Sequence, residues 1–263
     1  MNRHLPRIAA AVTGLAIAAT VAVPVLAVTT APAAPAGDAA PAVTTDTGLT
    51  RCAAAWAAVI ADRTLANTQA VGECEIDRRL DTITRLQSAV SGADALSDAH
   101  AAALGTILDG NRSGLTSLRA TLAADTTLAA ATADVRRVFT DYRVYVLVSR
   151  QVVLVTADDR VGAAADRLAH ASDQLAAAIA QAAAKGKDVT AAQGHLDAMN
   201  AAITAARGEV SGDADAVLGQ TPSSWNTGAA KPVLDAARAS VSAARTDLRT
   251  ALTEARAVLA ALR

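Results

Sequence analysis

Large apolar residues return every seven positions through the second half of this chain, and that interval leaves little choice of fold. Val189, Leu196, Ile203, Val210 and Val217 form one ladder, with Ala192, Met199 and Ala206 three places after its first three rungs. Leu234, Val241, Leu248, Ala255 and Leu262 form a second, doubled by Ala237, Ala244, Ala251 and Val258. Leu154, Val161, Leu168, Leu175 and Ala182 form a third. A sustained 3.5-residue period predicts coiled-coil-like helices that lie side by side with a left-handed twist. Alanine in one row lets neighbouring axes approach the close end of the usual range, about 8–10 Å. The chain is 52% apolar, but the large residues themselves keep the spacing, so Ala abundance does not create the pattern.

Breaks between the ladders are short. Lys185-Gly186-Lys187-Asp188 reads as a turn with Asp188 as N-cap, and the Gly219–Lys231 loop ends at Pro232, a favoured first helical residue. Short connections make the helices antiparallel neighbours, an up-down-up unit about 45 Å long.

The first half is helical but less regular. Ile76, Leu80, Ile83 and Val90 share a face that ends near Ser91-Gly92, and Leu96-Ser97 precedes the next helix. Leu104, Leu108, Asn111, Leu115, Leu118 and Leu122 then place Asn111 in the seam, bracketed by Gly110 and Gly114, where a register lock or a kink would fit. That seam position argues against glycosylation at Asn111-Arg112-Ser113. Asp125 is expected to cap a helix from about Thr127 past Phe139. From Tyr142 to Thr156 the chain is dense in β-branched residues, and a break near Tyr145–Arg150 is expected, with helix resuming around Gln151.

The N-terminus has the parts of an export signal. Arg3 and Arg7 precede the uncharged stretch Ile8–Val28, and Val25-Leu26-Ala27 is an acceptable cleavage site. The stretch is long enough to span a bilayer if it is not removed, although Pro24 and the small residues at its end favour cleavage. Residues 29–49, with Pro32, Pro35 and Pro41, cannot build a core and read as a disordered linker. The expected organisation is a signal peptide over residues 1–28, the linker over 29–49, an N-terminal helical unit over 50–148 and a C-terminal three-helix bundle over 149–263. The fold class is all-α, an elongated antiparallel bundle of two linked three-helix units.

Cys52 and Cys74 in an exported chain invite a disulfide. In one straight helix they would stand about 33 Å apart, so pairing requires the chain to reverse near residue 63. The breaker signals Asn67-Thr68-Gln69 and Gly72 come later, which leaves an intramolecular bond, an intermolecular bond and free thiols all open.

Chemistry-bearing motifs are scarce. His100, His170 and His195 fall on different helices without a second ligand at helical spacing, so no metal site is expected. Asp158-Asp159 and the Glu73/Glu75/Asp77 group before Arg78-Arg79 read as solvated helix charge. No phosphate loop, dinucleotide turn, nucleophile elbow or zinc-protease motif occurs. A net charge of −1 and 2% aromatic content give no footprint for nucleic acid. Neither a cofactor nor an enzymatic activity is expected.

One patch stands out. Arg136, Arg137, Phe139, Asp141, Tyr142, Arg143 and Tyr145 interleave arginines with three of the five aromatic residues, a recognition-surface composition that could equally plug a junction between helical units. Trp225, in Ser-Ser-Trp-Asn, is a second candidate anchor, whereas Trp56 reads as packing. The run Thr140-Asp141-Tyr142-Arg143-Val144-Tyr145-Val146-Leu147, with Ala157-Asp158-Asp159-Arg160, resembles uncharacterised secreted, Ala-rich helical proteins of actinobacterial type. That resemblance implies export and a helical fold and carries no activity. The C-terminal pattern is similar to spectrin-like three-helix bundles in architecture alone.

The expected role is that of an exported, non-enzymatic helical protein with a structural or interaction function at the cell envelope. The alternative is a module that binds cell-wall polymer through Trp225 and the arginines. The partner would be an envelope protein or wall polymer, with membrane contact only through residues 8–28 if the leader is retained.

Overall fold

The computed structural model describes residues 51–263, so the leader and linker lie outside the described residues. Every regular element among the described residues is helical. In order these are α1 (Ala53–Ala61), α2 (Leu65–Ser91), α3 (Asp98–Ala124), α4 (Leu128–Thr140), a π-helical turn (Val144–Val148), α5 (Ser149–Ala184), α6 (Thr190–Val210), α7 (Asp213–Leu218), α8 (Pro222–Asn226) and α9 (Ala230–Ala261). The fold is all-α, and no described helix is long and apolar enough to cross a membrane.

Local chemistry sets the boundaries. Thr64, Ser97 and Thr127 each accept a hydrogen bond from the backbone N–H three residues on, fixing the starts of α2, α3 and α4. Thr127, and not Asp125, is therefore the cap of α4; Asp125 closes the end of α3. Asp188 accepts from the Thr190 backbone at 2.9 Å at the entry to α6, and this bond lowers its carboxyl below the usual range. Thr221 and Ser224 form a reciprocal capping box around α8. Two glutamines from neighbouring helices serve C-terminal carbonyls that lack a partner within their own helix. Gln69 Nε2 donates to Leu122 and Asp125 at the end of α3, and buried Gln151 donates to Val217 and Gln220 at the end of α7.

Two apolar cores result. The first gathers large branched residues from α2, α3, α4 and the π turn, including Ile76, Ile83, Leu104, Leu108, Leu115 and Leu147. It continues into Val152 and Val155 of α5, Val217 of α7, and Leu234 and Ala237 of α9. The second is built by α5, α6 and α9 around Ala165, Ile179, Ala192, Leu196, Met199, Ala244 and Ala251. Helices α5 and α9 therefore run through both cores, and the expected division between residues 148 and 149 is not where the cores divide. The described residues, 51–263, belong to one compact unit.

Several expected breaks move. The chain turns at residues 141–143, and helix resumes at Val144, ahead of the expected Tyr145–Arg150 interruption. The β-branched run there is helical because Val144, Leu147, Val148 and Val152 are buried in the first core, so tertiary packing overrides strand propensity. Its first turn is wide: Val148 N–H reaches back five residues to the Arg143 carbonyl. The Val189–Val217 ladder is not one helix, because α6 ends at Val210 and Gly212, at φ +83°, turns the chain into α7. Neither Gly110 nor Gly114 breaks α3, and Asn111 bonds back to its own helix at Ile107 instead of across a seam. Gly72 is no breaker either. It sits buried inside α2, where a Cβ would lie 2.4 Å from a Leu122 methyl carbon, so its missing side chain makes room for α3 to approach.

Candidate functional site

The chain does reverse at residues 62–64, and Cys52 and Cys74 are joined in a disulfide with Cα atoms 5.8 Å apart. Asn67 assists the reversal: its side-chain amide donates to the Asp62 carbonyl at 2.8 Å, tying the end of α1 to the start of α2. The supposed breaker Asn67-Thr68-Gln69 is thus the first turn of α2, locked from inside.

The bond lays α1 along α2 and brings Trp56 over a buried ionic cluster. Trp56 Nε1 donates to Glu75 at 3.1 Å, and its ring centroid lies 6.2 Å from that of Phe139. Glu75 also accepts from Arg78 at 3.1 Å and Arg79 at 2.6 Å. Arg79 is 4% exposed and lies beneath two rings, with its guanidinium carbon 4.6 Å from the Phe139 centroid and 5.1 Å from that of Tyr145. Arg78 also stacks on Tyr145, its guanidinium carbon 5.1 Å from the ring centroid, and donates to its hydroxyl at 3.3 Å. Burial lowers the Arg79 pKa, while the bond to Glu75 and its charge oppose that shift. Arginine remains charged under any physiological condition, so Glu75 neutralises a permanent buried cation.

Phe139 and Tyr145 therefore serve as lids on an ion pair. Tyr142 has a packing role as well: its ring fills the space beside Gly114, where an added Cβ would come within 2.5 Å of the hydroxyl. Burial raises the Tyr142 pKa. Arg136 and Arg137 are exposed, and Arg137 is held by Asp134 and Asp141. The seven-residue patch thus separates into half-buried packing rings and the exposed Arg136 and Arg137.

Its last arginine meets the other candidate. Arg143 Nε donates to Asn226 Oδ1 at 2.7 Å, and Asn226 Nδ2 donates to the Thr140 carbonyl at 3.0 Å. This folds the 219–229 loop against the junction. Trp225, half-buried against the first core, lies beneath Arg150, whose guanidinium carbon is 5.5 Å from the ring centroid. Arg143, Arg150, Trp225 and Asn226 consequently share one surface, although about 80 residues separate its two contributing segments.

A second cluster lies where α3, α5 and α7 meet. His100 Nδ1 is 2.8 Å from Asp159, which also accepts from the Ser97 backbone N–H, and His100 Nε2 is 3.8 Å from Asp215. Asp158 has its carboxyl pushed up to about 6, chiefly by burial and then by the charges of Asp159 and Asp213. The Asp158-Asp159 pair is therefore not plain solvated charge, and His100 does not stand alone. His195 is also paired, with Glu254 at 2.7 Å. Among the described residues no group of three or more His, Cys, Asp or Glu is placed to hold a metal ion. A shallow open groove of about 350 Å³ between α2 and α3 is lined by Val90, Leu96, Leu108 and Asp109, with Gln87 Nε2 donating to Asp109 at 2.7 Å.

Glu75, Arg78 and Arg79 were not marked by sequence as site residues, yet a signal was present. Thr68, Val71, Gly72, Glu75, Ile76, Arg79, Thr82 and Ile83 follow one helical stripe, and all are buried. No family model matches the sequence, and no curated protein or solved structure is detectably similar to it.

Proposed function

We propose that this is an exported, non-enzymatic helical protein that docks a partner protein at the cell envelope through the surface formed by Arg143, Arg150, Trp225 and Asn226. One observation carries the reading: the 219–229 loop is bonded onto the helical junction, placing a tryptophan and two arginines side by side on a rigid base. Tryptophan and arginine dominate the energetics of protein recognition because they combine large contact area with directional donors. The Cys52–Cys74 bond supports export, since such bonds persist in oxidising compartments. No described cluster pairs a nucleophile with a base, so catalysis has no support among these residues.

Co-sedimentation of the protein with separated envelope protein, wall polymer and membrane tests the reading. Binding to the protein fraction that is lost in Trp225→Ala/Arg143→Ala, with circular dichroism unchanged, is the expected result. Binding to wall polymer would favour the polymer-binding alternative. Retention of protein binding by the folded variant would sink the proposed surface.

A further inference from the structure

Helix α1 spans nine residues, none of them buried, and Ile60 near its end is 82% exposed. A helix that short does not hold together unaided in water, where roughly 12–15 residues are marginal. It depends on anchors. Trp56 bonds to Glu75, the Asn67 amide holds the carbonyls at its C-terminal end, and Arg51 pairs with Asp81 on the surface. Hydrogen bonds at a wet edge and exposed ion pairs contribute modestly, because water competes for every partner. The covalent anchor is the Cys52–Cys74 bond at the helix N-cap.

Three further features converge on this bond. Cys74 directly precedes Glu75, so the bond sets the helix that carries Trp56 over the ion pair it covers. Cys52 is 1% exposed whereas Cys74 is partly open, so a thiolate reaches the Cys74 sulfur first. Residues 62–64 link α1 to α2 without helical structure, with Asp62 and Arg63 exposed, which is where a hinge must lie.

We propose that α1 is a redox-latched cover over the Arg78–Arg79–Phe139–Tyr145 face. A dithiol attacks Cys74 to form a mixed disulfide and expels Cys52, which takes up a proton. Its second thiol then displaces Cys74, leaving two protein thiols and an oxidised, cyclic reductant. Freed at its N-terminus, α1 swings about residues 62–64 and lifts Trp56 from Glu75 and Phe139. The arginine–aromatic face then opens to solvent while the two cores, which α1 does not enter, stay folded.

Hydrogen exchange of the full chain, read by mass spectrometry with and without dithiothreitol, tests this. In the reduced protein the amides of Ala53–Ala61 should exchange roughly tenfold faster or more, with those of Ile83, Leu108 and Leu115 unchanged, and reoxidation should restore protection. Cys52→Ser/Cys74→Ser should behave as the reduced form without reductant, and Trp56→Ala should leave α1 protected while the bond is intact. Unchanged protection of α1 on reduction would overturn the latch. So would loss of protection across both cores together, which would make the bond a staple of the whole fold. Release of α1 by Trp56→Ala with the bond intact would assign its hold to the tryptophan instead.

Discussion

The two cores solve the same problem, burying one stripe per helix, with opposite materials. The first uses leucine, isoleucine and valine drawn from many short and long elements. The second sets three long helices side by side with alanine at the contact: Ala165, Ala192, Ala206, Ala244 and Ala251 are all at or below 1% exposure. Small residues let axes approach closely, so the second core needs no plug, and among the described residues the polar side chain buried beside it is Ser172. A core assembled from many elements takes in their polar backbone ends. The first core accordingly holds Glu75, Arg79, Asp134, Gln151, Thr68 and Thr82. Chemical variety in this molecule thus collects where packing is irregular.

That contrast can be broken most sharply at the ion pair. Glu75→Ala leaves Arg79 charged under Phe139 and Tyr145 with no carboxylate, and removing one partner of a buried pair costs about 3–5 kcal/mol. The expected result is a large drop in the midpoint of urea unfolding. A loss below about 1 kcal/mol would show that water reaches Arg79 and that the cluster is not a true interior. Next in size, truncation and enlargement should act oppositely in the two cores. Leu115→Ala, at a fully buried position of the first core, should cost about 2–5 kcal/mol by leaving a cavity. In the second core Ala244→Leu should cost about 1–3 kcal/mol by forcing α6 and α9 apart. If Ala244→Leu is neutral in thermal melts, the close approach attributed to alanine is absent.

The same contrast explains what could be read in advance. The α9 rows, Leu234 to Val258 with Ala237, Ala244 and Ala251, came through because one unbroken helix keeps them buried along a single face as it passes from the first core into the second. Val217 fell in phase with Leu196 and Ile203, yet it belongs to the other core; phase cannot register a change of direction at Gly212. The aromatic patch was visible as composition, but its division into lids and surface was not. That division depends on Arg79, Trp56 and Asn226, which reach it through the disulfide and the loop. The cysteine pairing itself turned on a reversal at 62–64 with no glycine or proline to announce it.

Smaller effects sharpen the border between the cores. With its folded pKa near 6 and a value near 3.8 in the unfolded chain, Asp158 binds a proton more tightly when folded. Its contribution is complete below about pH 4 and is lost as pH rises through 6. Because this carboxyl is only half-buried, solvent screens it, and the loss should amount to about 1 kcal/mol or less. Melting temperature should fall slightly from pH 5 to pH 7.5 in the wild type, and less so in Asp158→Asn. An identical slope in both would place the pH dependence away from Asp158.

The smallest effect belongs to the outer face of the second core. Arg207 and Asp166 pair at 2.6 Å, with 46% and 74% of their side chains exposed. Both side chains must be ordered in water to form the contact, and salt weakens it further, so Asp166→Ala should change stability by less than about 0.5 kcal/mol. This pair lies where α5 and α6 run side by side, so it also tests what fixes their register. If alanine packing alone sets it, the double variant Asp166→Ala/Arg207→Ala should melt with the wild type at both low and high salt. A drop of more than about 1 kcal/mol that vanishes in high salt would mean that a small-residue seam also needs a charged clasp on its rim.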